Sequence, residues 1–149
     1  MTSIKFAGLA LFGSASLVAT TAMAEPVADG GRKFTTSLSG DQEVGGGDPD
    51  GSGTAKVVIN VGQQRVCWDL MVTDISDPTR AHIHKAAAGM NGPIVVAFFD
   101  TAPSTLQGCT TTQLDRELLI DIIQHPSDYY VNVHNADFPG GALRGQMSK

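Results

Sequence analysis

Hydrophobic and polar positions alternate with a period of two over most of the chain after residue 32. Seven short runs carry that pattern: KFTTSLSG (33–40), TAKVVINV (54–61), RVCWDLMV (65–72), TRAHIHKA (79–86), PIVVAFF (93–99), DYYVNVH (128–134) and GALRGQM (141–147). Glycine-, proline- and aspartate-rich stretches separate them, DQEVGGGDPDGSG (41–53) being the longest. Short β-branched runs between such breaks predict strands, and GQQ between the second and third predicts a hairpin. Seven strands in one small unit predict an all-β fold, an antiparallel sandwich or barrel.

One segment changes period. In TTQLDRELLIDIIQHP (111–126), Leu114, Leu118, Leu119, Ile122 and Ile123 form a stripe spaced for a helix. Thr112 with Asp115 offers a capping pair and Pro126 a stop, so one amphipathic α-helix is expected from about Thr112 to Gln124. Leu118 and Ile122 should pack it over an open end or edge of the sheet.

The first residues read as a targeting segment. Lys5 precedes an apolar run from Phe6 to about Ala19, and Ala22-Met23-Ala24 supplies the small residues of a cleavage site. Residues 1–24 are therefore read as a signal peptide cut between Ala24 and Glu25, residues 25–32 as a flexible lead-in, and residues 33–149 as one domain. The apolar run is too short to span a membrane. Export to a periplasm or the extracellular space follows. Removing Lys5 takes the formal charge from −5 to −6. An acidic chain whose cations are nowhere clustered is a poor partner for nucleic acid. Cys67 and Cys109 are the only cysteines. An even pair in an exported chain predicts a disulfide, and two thiolate metal ligands are the weaker reading because neither belongs to a CxxC-type pair.

Candidate chemistry lies in AHIHKAAAGMNGPIVV (81–96) and YYVNVHNADFPGGALRGQM (129–147). Strand alternation puts Ala81 and Ile83 on one face, His82 and His84 on the other. By the same parity Val131 and Val133 go to the core, and Asn132 and His134 to the opposite face, which should be open or line a cleft. If the two strands are neighbours, three imidazoles converge. Such a set suits a mononuclear copper or zinc ion with one position open. The competing reading is an ordinary polar strand face. Arg144 can fall on the histidine side, with Asn132, as an outer support or an anion-steering cation, or it can pair with Asp137. His125 precedes Pro126 at the helix end, where a cation suits the helix dipole. No GxSxG elbow and no GxxxxGK[ST] loop occurs. Asp48 and Asp50 resemble a calcium loop, but Ile59 stands where the closing glutamate would be.

The two quoted motifs, with FTTSLSGDQEV, GSGTAKVVI and VCWDLMVTDI, closely resemble the CHRD domain, a module first described in chordin and found in many secreted microbial proteins. The resemblance runs from about Lys33 to Met147. It departs at Gly45 and Gly46, where the family often has prolines. It implies an antiparallel β-sandwich of immunoglobulin-like or superoxide-dismutase-like type, and it brings no catalytic residues with it. The likeness to copper-zinc superoxide dismutase is partial, because the histidines are too few for a two-metal site. Three functions stay open: a binding module with a copper or zinc site at His82, His84 and His134; a copper-dependent redox enzyme acting on a small oxygen species, with Arg144 steering the anion; and a structural or adhesive domain without metal.

Overall fold

The computed structural model describes residues 30–149. The expected signal peptide and cleavage site, and most of the expected lead-in, lie outside the described residues. The first strand, β1, runs Arg32–Ser39. It is followed by β2 (Ser52–Asn60), β3 (Arg65–Thr73), β4 (Arg80–Lys85), β5 (Ile94–Phe99), β6 (Gln107–Cys109), α1 (Arg116–Gln124), β7 (Tyr129–His134) and β8 (Leu143–Gln146). The order across the sheet is β5-β4-β7-β8-β1-β2-β3-β6, and every pairing is antiparallel.

The sheet folds over on itself. Only Ser39↔Arg144 pairs β1 with β8, whereas β1 and β2 pair along their length. That weak seam divides the strands into two layers, and the core lies between them. Phe34, Leu38, Ala55, Val57, Ile59, Val66 and Leu70 of one layer meet Ala81, Ile83, Val96, Val131, Val133 and Leu143 of the other. Trp68 of β3 stacks on Phe98 of β5 with ring centroids 4.8 Å apart, which ties the far edges together. Stacked aromatic pairs contribute beyond the area they bury.

All seven expected strands form, and β6 is an eighth. It is three residues, Gln-Gly-Cys, without a hydrophobic rhythm. It places Cys109 directly across from Cys67, and the two are bonded with S–S 2.05 Å. Gly108 must be glycine here, since a Cβ would come within 2.8 Å of the Trp68 ring.

The helix begins later than expected. Asp115, not Thr112, is its N-cap, with Oδ1 accepting from the Glu117 and Leu118 amides at 2.7 and 3.0 Å. Leu119 and Ile122 are fully buried, and Leu118 is only partly so. Asp121 fastens the helix to the sheet. It accepts from Lys85 Nζ at 2.7 Å, from the Tyr129 hydroxyl and from His125 Nδ1 at 2.9 Å. These bonds hold the Asp121 carboxyl well below the usual range. His125 is thus engaged at the helix end, away from the other histidines. Asp48 and Asp50 form a local turn in which the Asp50 amide donates to Asp48 Oδ1 at 3.2 Å.

Candidate metal centre

β4 and β7 are direct neighbours, in a register that sets His82 opposite Asn132, His84 opposite Tyr130 and Arg80 opposite His134. All six of these side chains fall on the face away from Ala81, Ile83, Val131 and Val133. The parity read from the sequence therefore holds. The exposure does not. His82 is 1% exposed and His134 6%, and every residue of β7 is buried on either face. The outer face is roofed by the chain between β4 and β5 and by the turn between β7 and β8. An open polar face is thereby corrected to a covered polar layer.

Two glycines let those roofs close. The Gly92 carbonyl accepts from His84 Nδ1 at 2.9 Å. A Cβ on Gly92 would sit 1.9 Å from the Lys85 carbonyl oxygen, so only glycine allows this approach. Gly141 has φ +146°, and its Cβ would strike Glu43 Oε1 and Asn132 Nδ2.

Each imidazole has one nitrogen fixed by an acceptor. His82 Nε2 donates to Asp100 Oδ1 at 2.8 Å, His84 Nδ1 to the Gly92 carbonyl, and His134 Nδ1 to the Pro139 carbonyl at 3.1 Å. These bonds assign the tautomers. They leave a lone pair on His82 Nδ1, His84 Nε2 and His134 Nε2. His82 Nδ1 and His134 Nε2 face each other at 3.2 Å. That pair can hydrogen-bond only if one ring takes a second proton. His84 Nε2 is buried and has no partner among the described residues. The three rings offer one nitrogen each, all within 4.8 Å of one another, and could hold a metal ion. Two bonds of about 2.1 Å at a tetrahedral angle bring ligand nitrogens about 3.4 Å apart. The His82–His134 pair already has that spacing. His84 is the more distant ring, with centroids 5.5 and 6.4 Å from the other two.

Burial favours the neutral form of two of the rings. It pushes His134 down to about 4, aided by His82 nearby. It also lowers His84, although the bond to Gly92 works the other way. Neutral imidazole is the form that donates to a metal.

Arg144 is 1% exposed and lies over the Tyr130 ring, its guanidinium carbon 3.4 Å from the centroid. Its nitrogens donate to Asn91 Oδ1, the Ala87 carbonyl and Gln146 Oε1 at 3.2–3.4 Å. Asp137 instead accepts from Ser76, so the Arg144–Asp137 pair does not form. Asn132 donates from Nδ2 to Glu43 Oε1, while its own Oδ1 is buried without a partner. Burial raises Glu43 to about 7, with Arg144 and Asn132 pulling it back.

Asp100, Glu43, Tyr130, Gly92 and Pro139 were not marked as site residues by the sequence. Asp100 directly follows β5, the strand that pairs with the His82 strand, and only that pairing brings it to His82. Two register irregularities in the β4–β5 ladder, beside His82 and His84, accompany its placement.

The opposed shifts of His134 and Glu43 predict a pH signature. His134 has a folded-state value of about 4 against 6.5 unfolded, so the unfolded chain binds the extra proton between those values. Its contribution is lost as pH falls through that window. Glu43 stands at about 7 folded against 4.5 unfolded, so its contribution is lost as pH rises. Over the shared window Glu43 offsets His134, so the wild type should rise less steeply than a chain without Glu43. Glu43→Gln removes one arm, and its stability should rise by roughly 2 kcal/mol from pH 4.5 to 6.5. Urea midpoints at three pH values check this, and a variant that rises no more steeply than the wild type contradicts it.

No curated protein and no solved structure gives a significant match to the chain. The family model for the CHRD domain matches residues 34–147, from the start of the β1 core to Met147, and so includes both strands that carry the histidines. The chain belongs to the CHRD domain family.

Proposed function

We propose that this protein is an exported binding module whose CHRD-type sandwich holds one copper or zinc ion at His82, His84 and His134. The observation that carries the reading is the lone-pair arrangement. Three buried nitrogens are stripped of protons by acceptors on the far side of each ring, and two of them stand 3.2 Å apart with nothing to share. A buried polar atom without a partner costs free energy, roughly 1–3 kcal/mol. A cation placed between the three rings satisfies all of them at once. Asp100 gives His82 the carboxylate–histidine–metal relation common around metal ligands, and the Gly92 and Pro139 carbonyls do the same for the other two. Asn132 and Arg144 act one layer further out, Asn132 by tying β7 to Glu43 and Arg144 by bracing Tyr130 against His84. The Cys67–Cys109 bond fits an oxidising compartment, and no helix among the described residues is long and apolar enough to cross a membrane. Export, with the signal peptide cut after Ala24, belongs to this reading, as does a protein or small-molecule ligand for the module.

Metal content after dialysis tests it. Purified protein equilibrated with excess zinc, cupric copper or, under argon, cuprous copper and then dialysed should retain one equivalent of at least one of these ions. His125→Ala should retain the same. His82→Ala and His134→Ala should retain none. Equal retention by all four proteins, or none by the wild type, overturns the reading.

A further inference from the structure

We infer that the triad is built for copper in its cuprous state, in preference to cupric copper or zinc. This rests on the metal reading above and deepens it. The donor set contains no anion. All three ligand atoms are imidazole nitrogens, which bring no negative charge when they donate to a metal, and the one carboxylate in contact with a ligand ring, Asp100, is 67% exposed to solvent. Cations flank the triad instead. Arg80 donates to the Pro139 carbonyl at 2.9 Å, the same oxygen that accepts from His134 Nδ1. Arg144 and His84 both stack on Tyr130, Arg144 at 3.4 Å and His84 at 4.8 Å with planes 8° apart. Neither guanidinium has a carboxylate within 4 Å among the described residues, and Glu43, bonded to Asn132, attracts Arg144 only from further off.

That setting discriminates by charge. The cost of taking an ion out of water scales with the square of its charge, so a dication pays about four times what a monocation pays at the same radius. Repulsion from Arg80 and Arg144 is also twice as large for the dication. Zinc or cupric copper would have to bring an anion into a layer where His82 and His134 are almost wholly covered. A cuprous ion needs no such companion.

Competition titrations test the inference. Cuprous copper is titrated under argon against bicinchoninate, and cupric copper and zinc against chromophoric chelators for dications, all at pH 7.5. The cuprous Kd should be at least tenfold lower than the cupric Kd, which places the bound couple at least about 59 mV above aqueous copper. The zinc Kd should also lie above the cuprous one. Arg80→Gln should narrow the cuprous–cupric gap at least threefold, and Lys56→Gln, far from the site, should leave it unchanged. Cupric copper or zinc bound as tightly as cuprous copper overturns the inference while the metal reading stands. An unchanged gap in Arg80→Gln overturns its electrostatic basis. Failure of all three ions to bind removes the metal reading and the inference together.

Discussion

Replacing Cys67 and Cys109 together by alanine is expected to lower stability by roughly 4 kcal/mol. The two residues are 42 apart in sequence, and closing a loop of that length removes this much chain entropy from the unfolded state. The bond also holds β6, which has only three residues to pair with β3. Beyond the ladder, hydrogen bonds from the Leu70 amide to Leu106, from the Thr110 amide to Val66 and from Gln107 Nε2 to Asp69 hold its flanks. For a domain of this size the melting temperature should fall by about 15 °C. Trp68, the only tryptophan, reports the local event. It packs under Gly108, so release of β6 should expose its ring and shift its emission to the red before global unfolding. A loss below about 1 kcal/mol with unchanged emission would mean that β6 is held by other contacts.

The second large effect is stabilisation by copper. An ion that binds only the folded state stabilises by mass action, about 2.7 kcal/mol at one hundred times its Kd. The corresponding rise in melting temperature is roughly 10 °C. His134→Ala should abolish the rise, and His125→Ala should keep it. His134 is buried, so the alanine variant is also expected to melt lower than the wild type without metal; the quantity to compare is the rise. An exposed histidine set would release copper as pH falls through about 6.5. Burial lowers His84 and pushes His134 to about 4, so neither ring should take up the proton that releases copper near 6.5, and His134 should not do so until pH approaches 4. A rise that is lost between pH 7 and 6 with uptake of two or more protons would contradict the burial argument.

Much of this was legible because strand parity is a strict rule. Ala81 and Ile83 against His82 and His84, and Val131 and Val133 against Asn132 and His134, needed only a period of two. The cysteine pair needed only its count and compartment. The residues that escaped share one property: their roles depend on pairing partners that no local pattern specifies. Gln107, Gly108 and Cys109 carry no β signature, and their pairing with β3 comes with the Cys67–Cys109 bond and with partners distant in sequence. Leu119 replaced Leu118 as the deepest helix contact because the helix starts at Arg116, after the Asp115 cap, and a stripe wide enough to hold both leucines leaves the choice to packing. The covering of the histidines comes from irregular chain around Gly92 and Gly141, where turn residues are recognisable but their landing place is not. Asp100 and Glu43 reach the site across the sheet, 18 residues from His82 and 89 from Asn132.

X-ray absorption at the copper edge of the loaded protein tests the central claim most directly. Three imidazole nitrogens at about 2 Å are predicted, with the outer-shell scattering of intact rings. His82→Ala should lose that signature and His125→Ala should keep it. A spectrum showing one imidazole or none, or the same spectrum from the wild type and His82→Ala, would contradict a metal centre at His82, His84 and His134.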